Sequence, residues 1–261
     1  MDNQETAFID VRDLGLKTPE GPVYQHANFT IEQGQVCALF GDEGCGKTSL
    51  LLTLGGRMKF KDGQAKVAGF DLKKQYKKVR NLSGISVIER VNDVPKFLLV
   101  KDILSAELSM AGRPGNTQGV TDYLEEWDFV RCMNVPYNRL DAYDRYLFEI
   151  MLAATTVPQL LLVDEISRGM TQHDSLNMIE LFRRLWQKKN ITTVFCTNEF
   201  EIARNADCMI IASEGAEVQR ERVLAKTKDA GTARIVGTVN GVEAKDGPFY
   251  PVANLEDMEV R

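Results

Sequence analysis

Histidine and tryptophan are scarce, two of each in 261 residues, and no two cysteines take Cys-x-x-Cys spacing. With only His26 and His173, a histidine-rich metal centre is excluded. The five cysteines, Cys37, Cys45, Cys132, Cys196 and Cys208, make neither a zinc pattern nor an even disulfide framework, which suits a reducing compartment. No apolar run approaches the roughly 18 residues of a membrane span, and the opening Met1, Asp2, Asn3, Gln4, Glu5 is acidic and polar rather than signal-like. The chain is therefore expected in the cytoplasm, with any membrane role exercised through a partner. A surplus of positive charge is also lacking: 32 Lys and Arg face 37 Asp and Glu, a net charge of -5. That balance argues against a nucleic-acid partner held by phosphate neutralisation. The local exception is Lys73, Lys74, Lys77, Lys78 and Arg80, whose helical spacing reads as a solvated face, with a polyanion site as the alternative.

A content of 44% hydrophobic and 26% charged residues provides a core of ordinary globular kind, and the length fits one α/β domain with a subdomain. Runs at Ala7 to Val11 and Val23 to Ile31 read as strands separated by a loop over 17–22 that holds Pro19 and Pro22. Gln35 to Phe40 is a strand running into glycine, and Thr48 to Leu54 begins a helix. Gln64 to Leu72 and Ile85 to Ile88 alternate as strands. Helical periodicity then dominates from about 91 to 150, with Lys101 to Met110 and Thr121 to Trp127 the clearest cases. Leu160 to Val163, Thr192 to Cys196 and Cys208 to Ala212 are short, apolar strands around the amphipathic helix Asp174 to Lys189. Strand, helix, strand in that order implies a parallel sheet. Trp127 and Trp186 fall on helical patterns and are expected in the core.

Two constellations carry chemistry. Gly41-Asp42-Glu43-Gly44-Cys45-Gly46-Lys47-Thr48 satisfies Gly-x4-Gly-Lys-Thr at a strand-to-helix turn. Glycines there let backbone N–H groups and the following helix N-terminus cradle phosphate oxygens. Lys47 brings a charge to the β- and γ-phosphates of ATP, Thr48 a hydroxyl to Mg²⁺, and Ser49 a reach to the α-phosphate. Beyond it, Asp164 and Glu165 end the apolar strand Leu160 to Val163, where an open α/β sheet faces its ligand crevice. Asp164 is expected to hold Mg²⁺ with Thr48, and Glu165 to orient or deprotonate the attacking water. Cys45 lies at a helix N-terminus that would lower its thiol pKa, although a packing role is the plainer reading.

On these motifs the chain resembles the ABC ATPase family over about residues 7 to 220. Asp62-Gly63-Gln64, Gly69-Phe70-Asp71-Leu72 and Leu98 to Leu104 extend the likeness. The resemblance implies a P-loop NTPase core with a parallel sheet, an N-terminal antiparallel β region and an inserted helical subdomain at about 91–150. It implies domain limits of 1–220, with 221–261 an appendage, and a helical surface over 91–139 docking on a membrane-spanning transporter subunit. It also implies ATP sandwiched between two such subunits. Several family positions are altered: Leu140-Asp141-Ala142-Tyr143-Asp144 stands where the signature Leu-Ser-Gly-Gly-Gln belongs, Arg90 at the Q-loop glutamine, and Asn198 at the switch histidine. Arg168-Gly169-Met170-Thr171 replaces the D-loop pattern, and residues 16 to 18, where an adenine-stacking aromatic belongs, hold none, with Tyr24 a misplaced substitute.

Asp141 would meet a γ-phosphate with a repulsion of about 4 kcal/mol per charge pair at roughly 4 Å and an effective dielectric near 20. A heterodimer with an intact second ABC ATPase subunit is favoured over a symmetric homodimer. Asn198 can hydrogen-bond the γ-phosphate without the histidine's charge, so ATP turnover is expected to be slow. A non-hydrolysing, ATP-dependent scaffold is the alternative. A GTPase is disfavoured by the lack of Asn-Lys-x-Asp, and a small-molecule kinase leaves no recognisable acceptor site.

Overall fold

The structure, a computed structural model, describes residues 7–19, 21–89, 91–213 and 233–241. Arg90, and most of the expected appendage, lie outside the described residues. The described strands form one sheet. β1 (Ile9–Thr18), β2 (Gly21–Ile31), β4 (Asp62–Val67) and β5 (Phe70–Asp71) pair antiparallel on one side. β3 (Val36–Gly41), β6 (Ser83–Ile85), β7 (Leu160–Val163), β8 (Thr192–Thr197) and β9 (Cys208–Ser213) run parallel on the other. β10 (Arg234–Gly241) joins the halves, antiparallel to β2 and parallel to β9. The order is β5-β4-β1-β2-β10-β9-β3-β8-β7-β6.

The loop expected over 17–22 is instead the end of a hairpin, since Lys17 pairs with Pro22 and Thr18 with Gly21. Among the described residues β10 reaches only to Tyr24, so Pro22 lies beyond that pairing, at the end of the strand, where its missing N–H is tolerated. The strand expected at Ile85 to Ile88 sits earlier, at 83–85. Beyond it the chain turns, tied by Ile88 N–H donating to Asn92 Oδ1 at 2.7 Å. Eight residues of the segment expected as an appendage are β10, inside the sheet.

Helices cover both faces. α1 (Lys47–Leu54) and α2 (Leu72–Leu82) lie on one, with α5 (Ala142–Ala153), α6 (Gln172–Lys189) and α7 (Phe200–Ala203) on the other. α3 (Val100–Met110) and α4 (Thr117–Glu126) extend that second layer. The central strands are buried throughout and mostly apolar because both faces are covered. In β3, Val36, Ala38 and Phe40 join the core under α5 and α6, while Cys37 and Leu39 join the core under α1. β7 divides likewise, Leu161 and Val163 against Leu160 and Leu162. α6 starts on a capping box of Thr171 and Asp174 and stops at Asn190, whose φ of 60° is left-handed. The tryptophans expected in the core are half-buried: Trp127 lies against Tyr123 and beneath Lys189, and Trp186 closes over Gly34.

Candidate functional site

The C-terminal ends of β3, β7 and β8 bring Gly41 to Ser49, Asp164, Glu165 and Asn198 to one edge of the sheet, where parallel α/β sheets bind ligands. Gly41 ends β3 so close to β9 that a Cβ on it would stand 1.7 Å from the Ala212 carbonyl oxygen. Gly44 and Gly46 take φ of 78° and 86°, which only glycine adopts without strain. Gly46 also rests on the Val23 carbonyl and the Tyr24 ring, and its carbonyl accepts the first helical bond, from Leu50 N–H at 2.9 Å. The loop is thus a backbone cradle opening onto the N-terminus of α1, the geometry for phosphate.

Lys47 Nζ donates to the carbonyls of Gly41, at 2.7 Å, and Asp42, which holds the amine over the loop. Asp42 and Glu43 point their side chains to solvent, so their part in the cradle is that of backbone. Ser49 is buried one turn below, its carbonyl accepting from Thr53 Oγ1 at 2.8 Å. Cys45 is packed in the core beneath the loop, and burial pushes its thiol pKa up against the pull of Lys47. The lowering expected from the helix N-terminus is therefore overturned: desolvation outweighs it, and Cys45 is a packing residue.

Thr48 Oγ1 donates to Asp164 Oδ2 at 3.0 Å, which unites the two sequence motifs. Asp164 is buried, and burial raises its pKa above the ordinary carboxylate value; the Thr48 bond pulls the other way. Among the described residues its Oδ1 has no conventional hydrogen-bond partner, only the weakly donating Cys196 thiol nearby. An orphaned carboxylate oxygen beside a threonine hydroxyl suits a hard, hydrated cation such as Mg²⁺. Among the described residues no group of three or more His, Cys, Asp or Glu could hold a metal alone. A cation here would complete its shell from phosphate and water.

Two residues that carry no motif fix Asp164 in place. Ser86 Oγ accepts from its backbone N–H at 3.1 Å, and the buried Tyr146 hydroxyl donates to its carbonyl. Glu165 follows at a left-handed φ of 46° with its side chain exposed, and Arg168 Nε lies 3.2 Å from its Oε2. Arg168 also approaches Glu89, at 3.9 Å. Asn198 is exposed one residue past Thr197, the register partner of Phe40, and so stands level with the start of the phosphate loop.

Tyr24 does not serve as an adenine platform. It is fully buried beneath the loop, its hydroxyl donating to Thr53 Oγ1 at 2.9 Å. Asp141 is the N-cap of α5, its Oδ1 accepting from Asp144 N–H at 2.8 Å, and Ala142 and Tyr143 begin the helix. Asp144 is pinned by a two-pronged Arg131 bridge that keeps its carboxyl below the usual range.

The family model for the ABC transporter matches residues 24–168. The macrolide export ATP-binding/permease protein MacB of Rhodopirellula baltica is 26% identical over 226 residues, covering 84% of this chain and 33% of that protein. The ribose import ATP-binding protein RbsA of Shouchella clausii is 25% identical over 261 residues, covering 97% of this chain and 51% of that protein. The chain thus spans a third to a half of the length of these relatives. Among solved structures, cbiO1 from Clostridium perfringens, part of an ABC transporter complex, superposes with a TM-score of 0.68 at 18% identity, over 84% of this chain and 93% of its own. A dimeric ATP-binding cassette in a post-hydrolysis state with ADP and Pi gives 0.67 at 17% identity, over 78% and 94%. At such identities the structures speak for the fold, while the family match extends over more than half of the sequence and contains the phosphate loop, Asp164 and Glu165. This chain belongs to the ABC transporter family.

Proposed function

We propose that this chain is the ATP-binding subunit of an ABC-type transporter, working at the cytoplasmic face of the membrane. It binds ATP and Mg²⁺ at Gly41 to Ser49 and hydrolyses ATP slowly to drive or regulate a membrane-spanning partner. The observation that carries the proposal is the junction of Thr48 and Asp164, which sets a buried carboxylate oxygen without a conventional partner among the described residues beside a glycine cradle. Loop N–H groups and Lys47 hold the phosphates, and Thr48 and Asp164 hold the metal. Mg²⁺ supplies charge neutralisation at the β- and γ-phosphates. Glu165, at the end of β7, orients the attacking water and accepts its proton.

Slow turnover follows from two local features. Asn198 offers a neutral hydrogen bond in place of a histidine's charge, and removing one transition-state contact costs on the order of 10²-fold. Arg168 also engages Glu165 and competes for the carboxylate that must receive a proton. The same pair favours a second reading, a scaffold in which bound ATP fixes conformation without turnover.

The partner surfaces are of two kinds. Phe97 is 84% exposed and Leu98 47%, next to the helical layer, an apolar edge fitted to a loop of a membrane-spanning subunit. At the other surface Asp141 is bound into its cap and resists turning away from an incoming γ-phosphate, which favours a heterodimer with a second ABC ATPase subunit. ATP-Mg²⁺ binding and turnover of the purified chain, with Lys47→Ala and Glu165→Gln in parallel, test the proposal. Binding lost in the first and residual turnover lost in the second support it. Binding unaltered by Lys47→Ala would refute the site, and tight binding with no turnover, partner included, would select the scaffold.

A further inference from the structure

A groove of about 730 Å³ lies between residues 56–61 and α2, at the end of α1 away from the phosphate loop. Among the described residues six cations line it, Arg57, Lys59, Lys61, Lys73, Lys77 and Arg80, and no carboxylate does. In a chain of net charge -5, such a gathering of one sign in a concave wall concentrates positive potential where counter-anions collect.

Arg57 is the most telling member. Its half-buried guanidinium donates to Gly55 O at 3.0 Å, to Ser83 Oγ at 2.9 Å and to Ser83 O at 3.0 Å, all neutral acceptors. Burial, and then the charge of Arg80, pull its pKa down to about 10. A half-buried cation facing another cation is unfavourable unless an anion joins them. Capping the end of α1 accounts for the bond to Gly55 but not for five further cations around it. The flanking acids are committed elsewhere, Asp62 to Lys17 at 3.8 Å and Asp71 to the N-cap of α2. α2 is kinked at Gln75, and on either side of the kink Lys73, Lys77 and Arg80 all line the groove, together with Arg57 and Lys59. Phe60 and Tyr76 lie beneath Lys73 and Lys59, with 5.3 and 5.9 Å between ammonium and ring centroid.

We propose that this groove is a second anion site, binding a ligand with two or more phosphate groups through Arg57, Lys73, Lys77 and Arg80. Guanidinium forks match phosphate oxygens in pairs and the lysines add point charges, so several phosphates are favoured over one carboxylate. The site is separate from the nucleotide cradle, since α1, with eight residues, sets them about 12 Å apart at roughly 1.5 Å per residue. A soluble oligophosphate and a surface of anionic lipid headgroups offer the same chemistry.

The test is calorimetric titration of the Lys47→Ala chain with inorganic tripolyphosphate, so that the phosphate loop contributes little, with and without Lys77→Glu and Arg80→Glu. Both positions are exposed on α2 and leave the core untouched. Each lost charge-assisted hydrogen bond is worth about tenfold in affinity, so the paired reversal weakens binding about a hundredfold or more. Flotation with phosphatidylglycerol and phosphatidylcholine vesicles assigns the source. Vesicle binding that needs phosphatidylglycerol and is lost in the reversed variant identifies headgroups, and tripolyphosphate binding without vesicle binding identifies a soluble ligand. Binding that survives the reversal unchanged, or no binding of either probe, overturns the proposal.

Discussion

Asp164→Asn separates the cost of the site from its use. Ionised Asp164 is buried with Oδ1 short of a conventional hydrogen-bond partner among the described residues, and the Thr48 bond, the Cys196 thiol and the charges of Arg168 and Lys47 offset its desolvation only in part. An unsatisfied buried polar group costs about 1–3 kcal/mol, more when charged. Asparagine keeps the shape and an acceptor for Thr48 while removing the charge, so at neutral pH the variant gains about 1 kcal/mol and melts about 2–4 °C higher in a chain of this size. The sign with pH follows from the raised folded pKa of Asp164. The unfolded carboxyl releases its proton more readily than the folded one, so the penalty is absent below the unfolded pKa and grows as pH rises through the folded value. The gap in melting temperature between variant and native chain therefore closes towards acid pH.

Adding ATP and Mg²⁺ reverses the order. The native chain gains a melting shift set by ligand concentration over Kd, whereas the variant, short of a charged metal ligand, gains little. Thermal melts from acid to neutral pH, with and without ATP-Mg²⁺, read all of this in one series. A variant that melts below the native chain without nucleotide at neutral pH, or a gap that ignores pH, would refute the assignment of Asp164 as a carboxylate poised for a cation.

The two motifs were legible because both are local. A strand, a glycine turn and a helix are contiguous around Lys47, and Leu160 to Val163 is bounded by its own flanking residues. What the sequence hid lies in long-range pairing and in backbone contacts. β10 is set by β2 and β9, more than 20 residues distant, and Gly237 is there because a Cβ would meet Asn28 O at 2.0 Å. Ser86 and Tyr146 act on the main chain of Asp164, so no residue pattern announces them. Tyr24 was obscured by a phase change. Ile31, Phe29 and Ala27 alternate inward, and strict alternation would continue to Gln25. A left-handed His26, φ 51°, shifts the phase and buries Tyr24 instead.

Tyr24→Phe is expected to lower the melting temperature, since the buried hydroxyl bond to Thr53 is worth about 1 kcal/mol, while ATP affinity stays unchanged; a selective loss of nucleotide binding would contradict the buried placement. Arg168→Ala frees Glu165 and is expected to raise partner-stimulated turnover, by at most about fivefold because an exposed pair is worth no more than about 1 kcal/mol; a fall in turnover would assign Arg168 a supporting role. Asp141→Ala sets two effects against each other. Losing the N-cap of α5 costs about 1 kcal/mol, so the chain alone melts lower. Removing the carboxylate also removes its repulsion towards the γ-phosphate of a facing subunit, so ATP-dependent pairing in the Glu165→Gln background strengthens. A purely structural Asp141 would lower melting temperature and pairing together. Opposite movement of melting temperature and of dimer fraction on size exclusion is therefore the result that identifies Asp141 as the residue opposing symmetric closure.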